Sequence, residues 1–221
     1  MESALSQYHK INTIYKRDPE DGYKTLLVGQ YSKPEFGYLA DNQWHFTEKV
    51  DGTNIRVILS PADRDGPYTI TFGGKTDNAQ LPAPLVARLE ELFHNDNARK
   101  IIAENFPDGG VLYGEGYGGK IQKGSRYKQE QDFVLFDVKV GNWWLQRKDV
   151  DATATSLGLD VVPLLGIDVL HDMVRIVRGG LKSQWGDFIA EGIVARPAID
   201  LHGRDGSRII TKLKHRDFFN G

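Results

Sequence analysis

The chain has 221 residues, 40% hydrophobic and 26% charged, enough apolar surface for one packed domain or a compact two-lobed one. It has no cysteine, which excludes disulfides, thiolate zinc sites and a cysteine nucleophile together. Its net charge of −2 means that any contact with nucleic acid must come from a local patch rather than from the field of the whole molecule. Apolar runs such as Val161 to Leu165 and Phe133 to Phe136 are too short to span a bilayer. Met1 to Lys10 lacks the apolar segment of a signal peptide, so a cytoplasmic location is expected.

In chain order, a short strand is expected around Thr25 to Val28. His45 to Leu59 alternates as two strands, and Asp51-Gly52 between them has hairpin-turn chemistry. Pro67 to Phe72 reads as a third strand. Leu85, Val86, Leu89, Leu92 and Phe93 give Pro82 to His94 an amphipathic helical spacing, and Ala98 to Phe106 adds a second helix. Val111 to Gly114, Asp132 to Val140 and Trp143 to Gln146 read as strands, and Lys148 to Leu157 and Val169 to Val177 as helices. Phe188 to Ala195 and Arg208 to Leu213 are the last strands. Strands in hairpin-like groups with helices between the groups predict an α+β fold with largely antiparallel sheets. No repeat or long linker interrupts the chain, so residues 1–221 are expected to be a single domain with no separate C-terminal one.

Gly114-Glu115-Gly116-Tyr117-Gly118-Gly119 satisfies a dinucleotide-binding pattern, but that fold needs a helix to begin there. The next segment, Lys120 to Lys128, is basic and glycine-interrupted with no helical period, so the pattern is set aside. That segment and Arg208 to Arg216 are the two local basic patches, each equally readable as a solvated loop or a lysine-guarded edge strand. The six histidines show no metal-ligand spacing, and Trp143-Trp144 fits a hairpin with one indole buried.

Lys49 stands just before Asp51-Gly52, at the end of an expected strand. An amine becomes a nucleophile when neighbouring cations favour its neutral form. Attack on the α-phosphate of a nucleotide would then give a phosphoramidate suited to onward transfer. Such chemistry needs further cations for the phosphates and a carboxylate to place a divalent metal. Lys-x-Asp-Gly alone reads more readily as an ordinary surface lysine beside a turn.

The ordered set Lys49-Val50-Asp51-Gly52, Glu115, Phe136-Asp137-Val138, Glu191-Gly192-Ile193-Val194 and Lys212-Leu213-Lys214 resembles the covalent nucleotidyltransferases: ATP-dependent DNA and RNA ligases and mRNA capping enzymes. Asn54, five places after the lysine, and the Tyr-Gly-Glu-Gly-Tyr-Gly-Gly-Lys-Ile-Gln segment around Glu115 look most like RNA ligases of the phage RNA ligase 2 kind. The sequence departs from the pattern at Lys75, where the family usually has an arginine on phosphate. Lysine there is a point charge without the bidentate fork.

The resemblance implies a ligase adenylation-domain fold and an ATP-dependent RNA ligase using magnesium, with manganese as a substitute. Lys49 would carry AMP, pass it to a 5′-phosphate, and the end would be sealed to a 3′-hydroxyl. Glu48, Asn54, Glu115, Phe136, Lys212 and Lys214 would bind the nucleotide, with Glu115 on a ribose hydroxyl and Phe136 stacked on adenine. Glu191 would place the metal, and Lys212 and Lys214, on one face by strand alternation, would flank a phosphate. Arg56 and Lys75 would be accessory phosphate contacts, and Asp51 a polar contact to ribose, phosphate or metal. The implied partners are RNA ends or nicks, RNA/DNA hybrids included, in the cytoplasm of a cell or of a phage-infected host. The alternatives are a DNA ligase, a GTP-using capping enzyme, or a non-catalytic module that binds RNA ends or nucleotides. Sealing is expected to depend steeply on salt, because local basic patches would hold the substrate.

Overall fold

The computed structural model describes residues 7–61 and 68–219. The chain divides into two compact units, each built from two separate stretches: residues 7–9 with Asp51–Val162, and Lys10–Val50 with residues 163–219. Lys10–Val50 carries β1 (Asn12–Thr13), β2 (Tyr15–Arg17), β3 (Leu26–Tyr31), helix α1 (Pro34–Tyr38) and β4 (Trp44–Lys49). Asp51–Val162 carries β5 (Thr53–Ser60), β6 (Thr69–Gly73), α2 (Ala83–Phe93), α3 (Asp96–Asn105) and β7 (Gly110–Tyr117). It continues with β8 (Asp132–Val140), β9 (Trp143–Trp144), α4 (Arg147–Leu157) and β10 (Asp160–Val161). The last stretch carries β11 (Leu164–Asp168), α5 (Leu170–Gly179), β12 (Gly192–Pro197) and β13 (Thr211–Lys214).

In the Asp51–Val162 unit the strands run in the order β10-β8-β7-β5-β6, with β9 on β8. Alternation sends Ile55, Val57, Leu112, Phe133 and Leu135 to one face, where the helices cover them. α2 supplies Leu85, Leu89 and Phe93, spaced four apart on a single stripe. α3 starts where the Asn95 side chain accepts the Ala98 N–H at 2.9 Å. Gly158, in the left-handed conformation, ends α4. The other unit has the order β1-β13-β12-β4-β11 and a separate β2-β3 ribbon. Its core gathers Ile14, Phe36, Trp44, Phe46, Ile193 and Leu213 with Leu170, Met173 and Val177 of α5. Among the described residues no helix is long and apolar enough to cross a membrane.

The expected α+β class with mostly antiparallel pairing holds; the parallel pairs are the short β1–β13 and β10–β8. The expected Asp51-Gly52 hairpin does not form. β4 pairs with β11 and β12, whereas β5 pairs with β6 and β7, so the two strands belong to different sheets. Gly52 is needed for close approach instead of for a turn: a Cβ there would lie 2.2 Å from the Gly116 carbonyl oxygen. The strand expected from Phe188 starts later, at Gly192, because residues 181–190 close a small loop through a Lys182–Ile189 bridge. β11 was hidden in the apolar run around Val161, and Pro67 of the expected third strand lies outside the described residues.

A buried carboxylate braces the Asp51–Val162 unit. Asp132 accepts from Arg88 Nε at 2.9 Å, Lys128 Nζ at 2.6 Å and the Phe133 N–H at 2.9 Å. Burial pushes its pKa up, but Lys128 and Arg88 outweigh this and hold it below the usual carboxylate range. A lowered folded pKa gives stability that is present above the unfolded value, about 3.9, and is lost as pH falls through the folded one. Asp132→Asn should therefore cost about 1–2 kcal/mol near neutrality, discounted because both cations are partly exposed, and far less in acid. Chemical denaturation of the two proteins across pH 3–7 checks this (the window follows from ordinary carboxylate pKa values, about 4). A difference that stays constant with pH would contradict it.

Candidate active site

Lys49 ends β4, Lys214 ends β13, and Glu191 immediately precedes β12, the strand between them. Gly192 pairs with Lys49 on one side and Lys214 on the other, so the register alone brings these positions to one end of the sheet. Glu191 Oε2 lies 2.6 Å from Lys49 Nζ and Glu191 Oε1 lies 2.5 Å from Lys214 Nζ. The Glu191 side chain is 9% exposed and the two lysines 21% and 18%, so the ammonium groups remain reachable. The His215 N–H donates to the Glu191 carbonyl at 2.9 Å and fixes that backbone. Burial raises the Glu191 pKa, but the charge of Lys49 and the hydrogen bond from Lys214 more than offset this, leaving it below the ordinary value. One carboxylate between two ammonium groups leaves a net positive charge, suited to a phosphate.

Lys212 lies two residues before Lys214 on the same face of β13 and is half-buried. These two lysines were expected to flank a phosphate; of the two, Lys214 is already compensated by the Glu191 carboxylate.

Glu48 turns to the opposite face of β4 and is 1% exposed. Its oxygens accept from Ser183 Oγ at 2.6 Å and the Gln184 N–H at 2.8 Å. The expected nucleotide contact is therefore corrected for this side chain, whose carboxylate braces the loop leading to Glu191. Burial raises the Glu48 pKa despite the two hydrogen bonds. A raised folded pKa means that its stabilisation is fully present below the unfolded value, about 4.3, and declines as pH rises through the folded one. Glu48→Ala strands a buried hydroxyl and N–H and should cost about 2–3 kcal/mol. Glu48→Gln should lose less and show a flatter stability–pH curve by thermal denaturation; equal losses in both variants would count against this role.

The Asp51–Val162 unit gathers a second set on the sheet face opposite its helices. Asn54 on β5 pairs directly with Glu115 on β7. Asn54 Oδ1 is buried with no hydrogen-bond partner among the described residues, an acceptor that a ligand hydroxyl or ammonium could satisfy. On β8, Tyr113 pairs with Asp137 and Gly114 with Leu135, so Phe136 is the extra residue of a β-bulge. A bulge re-aims a side chain, and it gives Phe136, otherwise a plain core candidate, a distinct orientation. Tyr8 packs edge-on against Phe136 at 5.1 Å and donates to Asp137 Oδ2 at 2.9 Å. No sequence signal pointed to Tyr8, which reaches this face from far along the chain. Asp51 is held through its N–H, which donates to Tyr127 Oη at 3.2 Å.

Arg56 is corrected. It is 1% exposed, donating from Nε to the Gly74 carbonyl and from Nη2 to Asp77 Oδ1, both at 2.8 Å. The guanidinium pins the turn after β6 and is not presented to a phosphate. Lys75 sits exposed on that turn. Among the described residues no group of three or more His, Asp or Glu side chains is placed to hold a metal ion.

A protein-family model described as RNA ligase matches residues 42–214, the span that carries all of these strand-borne groups from Lys49 to Lys214. The chain belongs to the RNA ligase family. No curated protein matches it. Among solved structures, it is similar to an RNA ligase of Naegleria gruberi. A variant with ATP and Mn matches with TM-score 0.68 at 15% identity over 97% of this chain and 58% of that one. Another, with AMP and Mn, matches with TM-score 0.66 at 15% identity over 97% and 57%. A third, with ATP and Mn, gives 0.62 at 18% identity over 83% and 54%. At such identities the likeness is one of fold, and this RNA ligase family chain spans little more than half the length of those relatives.

Proposed function

We propose that the chain is an ATP-dependent RNA ligase, a single nucleotidyltransferase domain working in the cytoplasm. The observation that carries the reading is the Lys49–Glu191–Lys214 cluster, which sets a lysine nucleophile beside a second cation and an ionised carboxylate. The solved N. gruberi ligases with ATP or AMP and Mn supply the nucleotide and the class of metal. A hard divalent cation such as Mg²⁺ or Mn²⁺ would rest on Glu191, take its other ligands from phosphate and water, and neutralise phosphate charge.

Attack requires the neutral amine, so a Lys49 Nζ proton passes to solvent first. The Nζ lone pair then forms a bond to the α-phosphorus of ATP while the bond to the bridging oxygen breaks and pyrophosphate leaves. Lys214 and Lys212 hold the phosphate charge through this step. A 5′-phosphate oxygen of RNA next attacks the same phosphorus, the P–N bond breaks and Lys49 is restored. A 3′-hydroxyl finally attacks the 5′-phosphate, loses its proton and expels AMP. Glu115 and Asn54 would take ribose hydroxyls, and Phe136 the adenine face, a set close to that of phage RNA ligase 2 enzymes.

The test is incubation with α-labelled ATP or GTP and Mg²⁺ or Mn²⁺, followed by sealing of nicks in RNA, DNA and hybrid duplexes. Labelling by ATP with sealing of RNA is expected. Labelling by GTP alone would move the chain to the capping class; labelling without RNA sealing but with DNA sealing would make it a DNA ligase. No label from any nucleotide would leave a binding module.

A further inference from the structure

We infer that the loop of residues 118–128, which leaves β7 just beyond Glu115, is a preformed docking surface for the phosphate backbone of RNA. The inference rests on the RNA-ligase reading for the identity of its ligand. The loop is folded tightly on itself: Gly118 and Gly119 have φ of +89° and +52°, and Gln122 has φ of +49° without being glycine. A Cβ on Gly118 would meet the Glu130 carbonyl oxygen at 2.0 Å, and one on Gly124 would meet that of Gly118 at 2.6 Å. Backbone bonds from the Gly119 N–H to Lys128 O and from the Tyr127 N–H to Gly124 O close it at both ends. Ile121 and Tyr127 are its buried anchors, each 7% exposed, and the Tyr127 ring meets Tyr117 edge-on.

What this scaffold presents is charge. Lys120, Lys123, Arg126 and Lys128 are exposed, with no acidic residue among positions 118–128. Lys128 pairs with Asp132, which Arg88 also neutralises. Among the described residues Lys120 and Lys123 have no ion-pair partner, and Ser125, Gln122 and Gln129 beside them offer polar contacts. None of the large exposed apolar side chains lies in this loop, so it lacks the anchor that a protein partner or a membrane surface would use. A fixed set of cations without apolar anchors is the chemistry of backbone binding without base readout. Four residues separate Lys120 from Glu115, a backbone reach of about 18 Å at most. A strand gripped here therefore lies within a few nucleotides of the groups proposed to hold the ribose.

The experiment measures binding of a labelled nicked RNA duplex to the full chain across a salt series. It compares wild type with the triple variant Lys120→Gln, Lys123→Gln, Arg126→Gln and with Lys120→Arg, Lys123→Arg. Losing three phosphate contacts should lower the slope of log Kd against log salt by about 2–3 and weaken binding on the order of 10- to 100-fold. The arginine variant should bind as wild type, and label transfer from ATP to the chain should be unchanged in all three. A triple variant with wild-type slope and Kd would overturn the inference, as would an arginine variant that loses binding as the glutamines do. Failure of the RNA-ligase reading shows separately, as absence of the covalent label in wild type.

Discussion

Lys49→Ala is expected to remove all covalent nucleotide from the chain and to lower sealing of a 5′-phosphate nick on the order of 10⁶-fold, the scale reached when a covalent nucleophile is deleted. The size reflects the chemistry. The neighbouring amine of Lys214 comes from another strand and is held by Glu191 at 2.5 Å. The fold should survive, since Lys49 is partly exposed at a strand end and its aliphatic stem carries little of the core. The variant also has a selective prediction. A strand supplied with AMP already on its 5′ end no longer needs the lysine as nucleophile, so its sealing should fall far less than that of an unmodified nick. Equal loss on both substrates would show that Lys49 acts mainly by holding the site together.

Glu191→Gln carries the next largest effect. The carboxylate balances two ammonium groups, and the amide would leave Lys49 and Lys214 facing each other with one acceptor between them. Label transfer from ATP should fall on the order of 10²- to 10³-fold, the range for removing one preorganised electrostatic group. Stability should fall by only about 1–2 kcal/mol, because both lysines reach solvent. The pH signature has a definite sign. The folded pKa of Glu191 lies below its ordinary value, so its stabilisation is present above about pH 4.3 and disappears as pH falls through the folded value. Wild type should thus lose its advantage over the Gln variant on acidification, read as converging thermal midpoints below about pH 4. Midpoints that separate further in acid would contradict the assigned ion-pair cluster.

The sequence revealed the order of the chemistry better than its supports. Lys49, Glu191 and Lys214 are far apart in the chain; Lys49 and Lys214 lie near the ends expected for their strands, whereas Glu191 was expected inside a strand from Phe188 and instead precedes one that starts at Gly192. The pairing of β12 between β4 and β13 does the rest. What alternation could not supply was which strands pair. Asp51-Gly52 has turn chemistry, yet the residues pass between two sheets, since local propensity carries no information on the sheet a strand joins. Arg56 and Glu48 were misplaced for a related reason. Both are charged residues next to motif positions, and burial with a partner from a distant loop, Asp77 or Ser183, cannot be read from spacing. The bulge at Phe136 and the Tyr8 contact behind it are likewise long-range features. The helices were the easiest to place, because a stripe such as Leu85, Leu89 and Phe93 is written wholly within one segment.

Uptake of AMP by Lys49 can be read by peptide mass spectrometry after incubation with ATP and Mg²⁺. A single AMP, joined through a phosphoramidate and lost in acid, is expected on the peptide that contains Lys49, with none on Lys212 or Lys214. AMP on a different residue, or a chain that stays unmodified while ATP and metal are saturating, would contradict it.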